Sequence, residues 1–133
     1  MPHLKIEYSA NLDPYTDMGA LCTTLAGVLA SLQDDQGQKV MPLHGIRVLA
    51  YPAPHHAVAD GHPNRAFVYL NLRMAGGRSA AVQKDAGEAI LAAASAHLAP
   101  VFAQMPVGMT VQIDEGQHVY DGKSNNLLAA LKA

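Results

Sequence analysis

The chemistry in this chain starts at its second residue. Met1 is followed by Pro2, and a small residue at that position favours removal of the initiator methionine. Removal leaves Pro2 as a free secondary amine. An α-amino group ionises near a reference pKa of about 7.7–8.0, far closer to neutrality than a lysine. Burial in an apolar pocket, or a neighbouring arginine, disfavours the ammonium and lowers that value further. A rigid base poised near working pH meets the condition for efficient general acid–base catalysis. With Met1 retained, the same nitrogen is an amide and has no basicity. A proline at position 2 is also merely tolerated in many chains, so position alone assigns it no role.

Arg47 and Arg78 are the next candidates. A guanidinium holds a carboxylate through two parallel hydrogen bonds. Arg78 lies in Gly76-Gly77-Arg78-Ser79, just ahead of a helical pattern. A helix N-terminus offers unpaired N–H groups and partial positive charge, so this turn is a candidate anion seat. It lacks the full pattern of a phosphate-binding loop. Taken singly, either arginine reads equally as a solvated surface charge. Seven histidines raise the question of a metal, with His55, His56 and His62 crowded beside Asp60. No His-Glu-x-x-His arrangement or its inverse occurs among them, so no metal site is expected. His97 and Cys22 fall on apolar helical stripes and read as packed core residues.

Composition narrows the class. The 133 residues are 50% apolar and 15% charged, with a formal charge of -2. That length suits one domain, residues 1–133, with a real hydrophobic core. Nine Lys and Arg against eleven Asp and Glu leave no broad cationic face for nucleic acid. A lone cysteine makes neither an internal disulfide nor a cysteine metal cluster. No apolar run reaches the roughly 18 residues of a membrane span. The first residues lack the basic-then-apolar plan of a signal peptide. A cytoplasmic domain without membrane partners is expected.

Two similar halves must position these residues. Leu4, Ile6 and Tyr8 alternate with His3, Lys5 and Glu7, the period of a strand with one buried face. From Met18 the apolar positions 18, 21, 22, 25, 28, 29 and 32 form one helical stripe, capped by Asp17 or Thr16. Ile46 to Tyr51 predicts a second strand, and a Pro- and Gly-rich loop of about a dozen residues follows. Ala66 to Leu72 predicts the third strand. Ser79 is the expected N-cap of a second helix that carries Val82, Ala86, Ile90, His97 and Val101 and ends near Pro106 or Gly108. Met109, Val111 and Ile113 predict a fourth strand, and 126–131 a short amphipathic segment. Two β-α-β units with right-handed crossovers share one sheet with both helices on one face. Nothing in the chain is left to cover the other face, which implies that it meets another subunit.

The chain resembles the 5-carboxymethyl-2-hydroxymuconate isomerases of the tautomerase superfamily. The resemblance spans nearly all of it. It rests on Met1-Pro2-His3 with Glu7, Leu43-His44-Gly45-Ile46-Arg47, Ala59-Asp60-Gly61, Ala66-Phe67-Val68, Gly77-Arg78-Ser79, Gln83 with Gly87-Glu88, and Asn125-Asn126. The resemblance implies a homotrimer of α+β subunits, each β-α-β-β-α-β, with a four-stranded sheet and two helices on one face. It further implies a cofactor-independent 1,3-keto-allylic proton shift in bacterial homoprotocatechuate breakdown. Pro2 would be the base, and Arg47 and Arg78 would bind the carboxylates of a small-molecule substrate. Where members often carry a further arginine, this chain has Leu49, and Tyr51 to His56 differ from the family pattern. Two alternatives therefore stand beside the muconate isomerase: a promiscuous enol tautomerase, and a non-catalytic anion-binding trimer.

Overall fold

A computed structural model describes residues 2–132. Met1, on whose removal the catalytic reading of Pro2 depends, lies outside the described residues. Strand β1, His3–Ser9, buries Leu4, Ile6 and Tyr8 and leaves His3, Lys5 and Glu7 on its other side, as the alternation requires. Helix α1, Met18–Ser31, begins where the Asp17 carboxylate accepts the Ala20 N–H. It buries Met18, Leu21, Leu25 and Leu29, one residue per turn. Cys22 packs against the core at the edge of that stripe and is half-buried, less enclosed than expected. Its burial pushes the thiol pKa up.

Strand β2, Arg47–Ala53, runs two residues past the expected end and includes Pro52. In the strand order β2-β1-β3-β4, β2 is an edge strand of the sheet, and an edge tolerates a missing N–H. Strand β3, Ala66–Ala75, extends three residues beyond the predicted Leu72. Helix α2, Ala80–Phe102, starts at Ser79, whose hydroxyl accepts the Val82 N–H at 3.2 Å. It ends four residues before Pro106. Strand β4, Val107–Gly116, claims the residues beyond, pairing Val107 with Ala66 from its first position. A short helix α3, Leu127–Lys132, closes the chain.

β1 runs parallel to β2, β3 runs parallel to β4, and β1 lies antiparallel to β3. That is two β-α-β units joined through their first strands. α1 packs on α2 and β2, and α2 on β4. Ala86 and Ala94 in the buried stripe of α2 let its backbone lie close to the sheet. His97 is half-buried, not enclosed as expected. Its Nε2 sits 3.1 Å from Thr16 Oγ1 and 3.0 Å from the Asp17 carbonyl, so it ties α2 to the start of α1. On the opposite face, Arg47, Lys5, Tyr69, Asn71, Arg73 and Gln112 are half-buried or exposed. Tyr69 donates to Gln112 at 2.7 Å and Asn71 to Asp114 at 2.9 Å across that face.

Candidate active site

Parallel pairing of β1 and β2 starts both strands at one end of the sheet. Pro2 lies there, two residues before Leu4, and is buried like it. Its carbonyl accepts the Arg47 N–H at 3.2 Å, which fixes the two candidate residues side by side along the backbone. Arg47 pairs with His3 in register. Its Nη1 donates to the Gly45 carbonyl at 3.1 Å. The preceding 3₁₀ turn, Leu43–Gly45, delivers the chain into β2 with Gly45 buried.

β3 is antiparallel to β1, so its C-terminal end returns to the same place, with Arg73 opposite His3. The turn 76–79 and Arg78 therefore sit at the Pro2 end. Gly77 adopts φ +100°, a conformation that excludes ordinary side chains and lets the turn enter α2. The Arg78 guanidinium is half-buried and tied down. Nε and Nη2 donate to the Val40 carbonyl at 3.3 and 2.9 Å, and Nη1 to the Ala75 carbonyl at 3.2 Å. Of its five N–H groups, three are engaged in these bonds. The side chain thus staples the 32–42 loop to the start of α2. A cavity of about 420 Å³ beside it is also lined by Lys39, Asp34 and Asp35.

Three of the four arginines in the sequence gather at this end. The fourth, Arg65, lies at the opposite end and pairs with Asp60 at 3.0 Å. Arg73 was not among the sequence candidates, because the predicted third strand stopped at Leu72. Continuing its alternation by one residue puts Arg73 in register with His3.

The histidine-rich loop does other work. His56 Nδ1 lies 2.9 Å from the Ala53 carbonyl, and His62 Nδ1 accepts the Asn64 N–H at 3.1 Å. The His62 N–H and Arg65 hold the Asp60 carboxyl below its ordinary pKa. Asn11 Nδ2 donates to the carbonyls of Pro63 and Arg65 at 3.2 and 2.7 Å, fastening the loop to the far end of β1. Among the described residues, no group of three or more His, Cys, Asp or Glu is placed to hold a metal ion. No described helix is long and apolar enough to cross a membrane.

A four-stranded sheet of two paired β-α-β units, with both helices packed against it, is the tautomerase fold. At the level of fold the chain matches a fused 4-OT described as a symmetric trimer. TM-score is 0.64 and identity 17%, over 92% of this chain and 91% of that one. The model of the 5-carboxymethyl-2-hydroxymuconate isomerase family matches residues 2–131, and the chain belongs to that family. A solved 5-carboxymethyl-2-hydroxymuconate delta-isomerase is 53% identical, with TM-score 0.94 over 98% of this chain and 93% of that one. The 5-carboxymethyl-2-hydroxymuconate Delta-isomerase of Escherichia coli is 27% identical over 132 residues, 99% of this chain and all of that one.

Proposed function

We propose that this chain is an isomerase of 5-carboxymethyl-2-hydroxymuconate, with the amine of Pro2 as its base once Met1 is removed. The carrying observation is the juxtaposition of a buried Pro2 with Arg47, Arg73 and Arg78 at one end of the sheet. Pro2 takes the proton of the 2-hydroxyl and returns a proton to a carbon further along the conjugated chain. The hydroxyl becomes a ketone, one double bond moves, and no atom is gained or lost. Burial of an amine disfavours its ammonium form, which is the direction a base working near neutral pH requires. Guanidinium groups seat the substrate's carboxylates and stabilise charge as it develops on the oxygen. No metal or organic cofactor enters this scheme.

Arg47 and Arg78 are the proposed carboxylate binders, and each also organises backbone. Arg78 keeps two N–H groups outside its carbonyl bonds. The cavity beside it is lined by two aspartates and one lysine, and the excess of negative charge favours approach of an anion from the Pro2 side instead. A homotrimer assembled through the open sheet face completes this reading. Its support is that face itself, together with exposed Val119, Tyr120, Leu127, Leu128 and Leu131 in the C-terminal tail. A single domain working in the cytoplasm fits the same reading.

Loss of the dienol's ultraviolet absorbance tests it, using protein whose intact mass lacks Met1. Conversion well above the buffer rate, sharply reduced in Pro2→Ala, is expected. Wild-type rates from Pro2→Ala would sink the mechanism. Turnover of simple enols without turnover of the muconate would instead make the chain a promiscuous tautomerase.

A further inference from the structure

Arg73 is the one arginine at the Pro2 end with no hydrogen bond or ion pair among the described residues. It lies on the open face, opposite His3 of β1 and Asp114 of β4. Arg47 shares the His3 position from the other side, so Arg47, His3, Arg73 and Asp114 form one row across four strands. That row is one residue from Pro2.

The side chain has a definite direction. Its guanidinium lies over Gly116, two residues past its register partner Asp114, and a Cβ built on Gly116 would collide with Nη2, Nε and Cζ. This lean carries the charge toward the end of the sheet where Pro2 and the 76–79 turn lie, on the β4 side of β3. Gly116 is buried and leaves the space that the guanidinium occupies. Among the described residues no carboxylate forms an ion pair with it. Asp114 accepts from Asn71, and Glu115 accepts from Gln83. Arg47 and Arg78 spend donors on Gly45, Val40 and Ala75, whereas Arg73 has all five uncommitted.

5-Carboxymethyl-2-hydroxymuconate carries three carboxylates, two from the muconate and one on the carboxymethyl arm. Arg47 and Arg78 answer two of them. We infer that Arg73 binds the third, and so selects tricarboxylate over dicarboxylate dienols. This rests on the proposed isomerase activity and adds a specificity residue to it.

The test compares kcat and KM of wild type, Arg73→Gln, Arg73→Lys and Gly116→Ala on two substrates. One is 5-carboxymethyl-2-hydroxymuconate; the other is 2-hydroxymuconate, the same dienol without the carboxymethyl arm. Loss of one charge-assisted contact should lower kcat/KM on the tricarboxylate by roughly 10- to 100-fold, mainly through KM. The loss on the dicarboxylate should be several-fold smaller. Arg73→Lys should recover part of the difference. Gly116→Ala, which displaces the guanidinium without removing it, should shift selectivity the same way. Equal losses on both substrates, a loss confined to kcat, or no loss would overturn the role of Arg73. An Arg73→Gln chain that merely disassembles loses both activities equally and counts against it too. If wild type turns over neither substrate, the isomerase reading falls and takes the inference with it.

Discussion

Replacing Arg78 with alanine should destabilise the fold before any substrate is added. The guanidinium satisfies two backbone carbonyls, Val40 and Ala75, that belong to different segments of the chain. Hydrogen bonds from a charged donor contribute about 1.5–3 kcal/mol each. The site is half-buried, so water reaches the freed carbonyls and returns part of that. The expected cost is about 2–4 kcal/mol. For a domain of this length each kcal/mol moves Tm by roughly 3–5 °C, so the variant should melt on the order of 10 °C below wild type. Urea unfolding at matched protomer concentration is the assay, since an oligomer's apparent stability depends on concentration. The shift should appear in the midpoint with the slope unchanged. Arg78→Lys, with one compact ammonium in place of the fork, should fall between the two. A cost below about 0.5 kcal/mol, the scale of ordinary surface substitutions, would refute the stapling role and return Arg78 to a solvated binder. Kinetics of Arg78 variants are meaningful only below the variant's own melting range.

Three further outcomes follow from other contacts. Tyr8 donates to Asp13 at 2.7 Å, and its phenol is pushed up to about 12, chiefly by burial and then by that carboxylate. The folded state therefore resists the phenolate, and the contribution is whole below pH ~10, then lost as pH rises toward 12. Wild type should lose about 2–3 kcal/mol across that window; Tyr8→Phe should lack the loss, and parallel alkaline melts would contradict it. Asn11→Ala should free the Pro63 and Arg65 carbonyls, at about 1 kcal/mol of local stability. Hydrogen exchange at the Gly61 and Arg65 amides should quicken roughly fivefold, with β1 amides unaffected. Because the Asp60 carboxyl is held below its ordinary pKa by the His62 N–H and Arg65, its hold on the loop exists above pH ~4 and fades below it. The same amides should then quicken in acid after correction for intrinsic exchange, and unchanged protection would contradict the tie.

Much of this architecture was legible because each element carries its own periodic signal. Leu4, Ile6 and Tyr8 alternate cleanly, and Asp17 and Ser79 cap their helices as their types suggest. Strand and helix ends were less legible, because pairing sets them rather than local preference. Pro52 belongs to β2 only because β2 is an edge, and α2 stops short because β4 must pair with Ala66. His97 misled for another reason: helical spacing gives the face of a residue but not the polar groups that face meets. For the site, Pro2 and Arg47 were visible as types, but their backbone contact required the parallel register. The bonds of Arg78 to the Val40 carbonyl join positions 38 residues apart in sequence, beyond any local pattern. Arg73 stayed hidden because the strand that positions it ran longer than its most apolar stretch.

The central claim is that a free amine at Pro2 is the base. The most direct test compares kcat/KM on 5-carboxymethyl-2-hydroxymuconate for the chain lacking Met1 and for the same chain retaining it, each verified by intact mass and by fold. Retention converts the amine to an amide and changes no other side chain. General acid–base catalysis contributes about 10²- to 10⁴-fold, so the unprocessed chain should be slower by at least a hundredfold. Equal rates from the two would contradict the account.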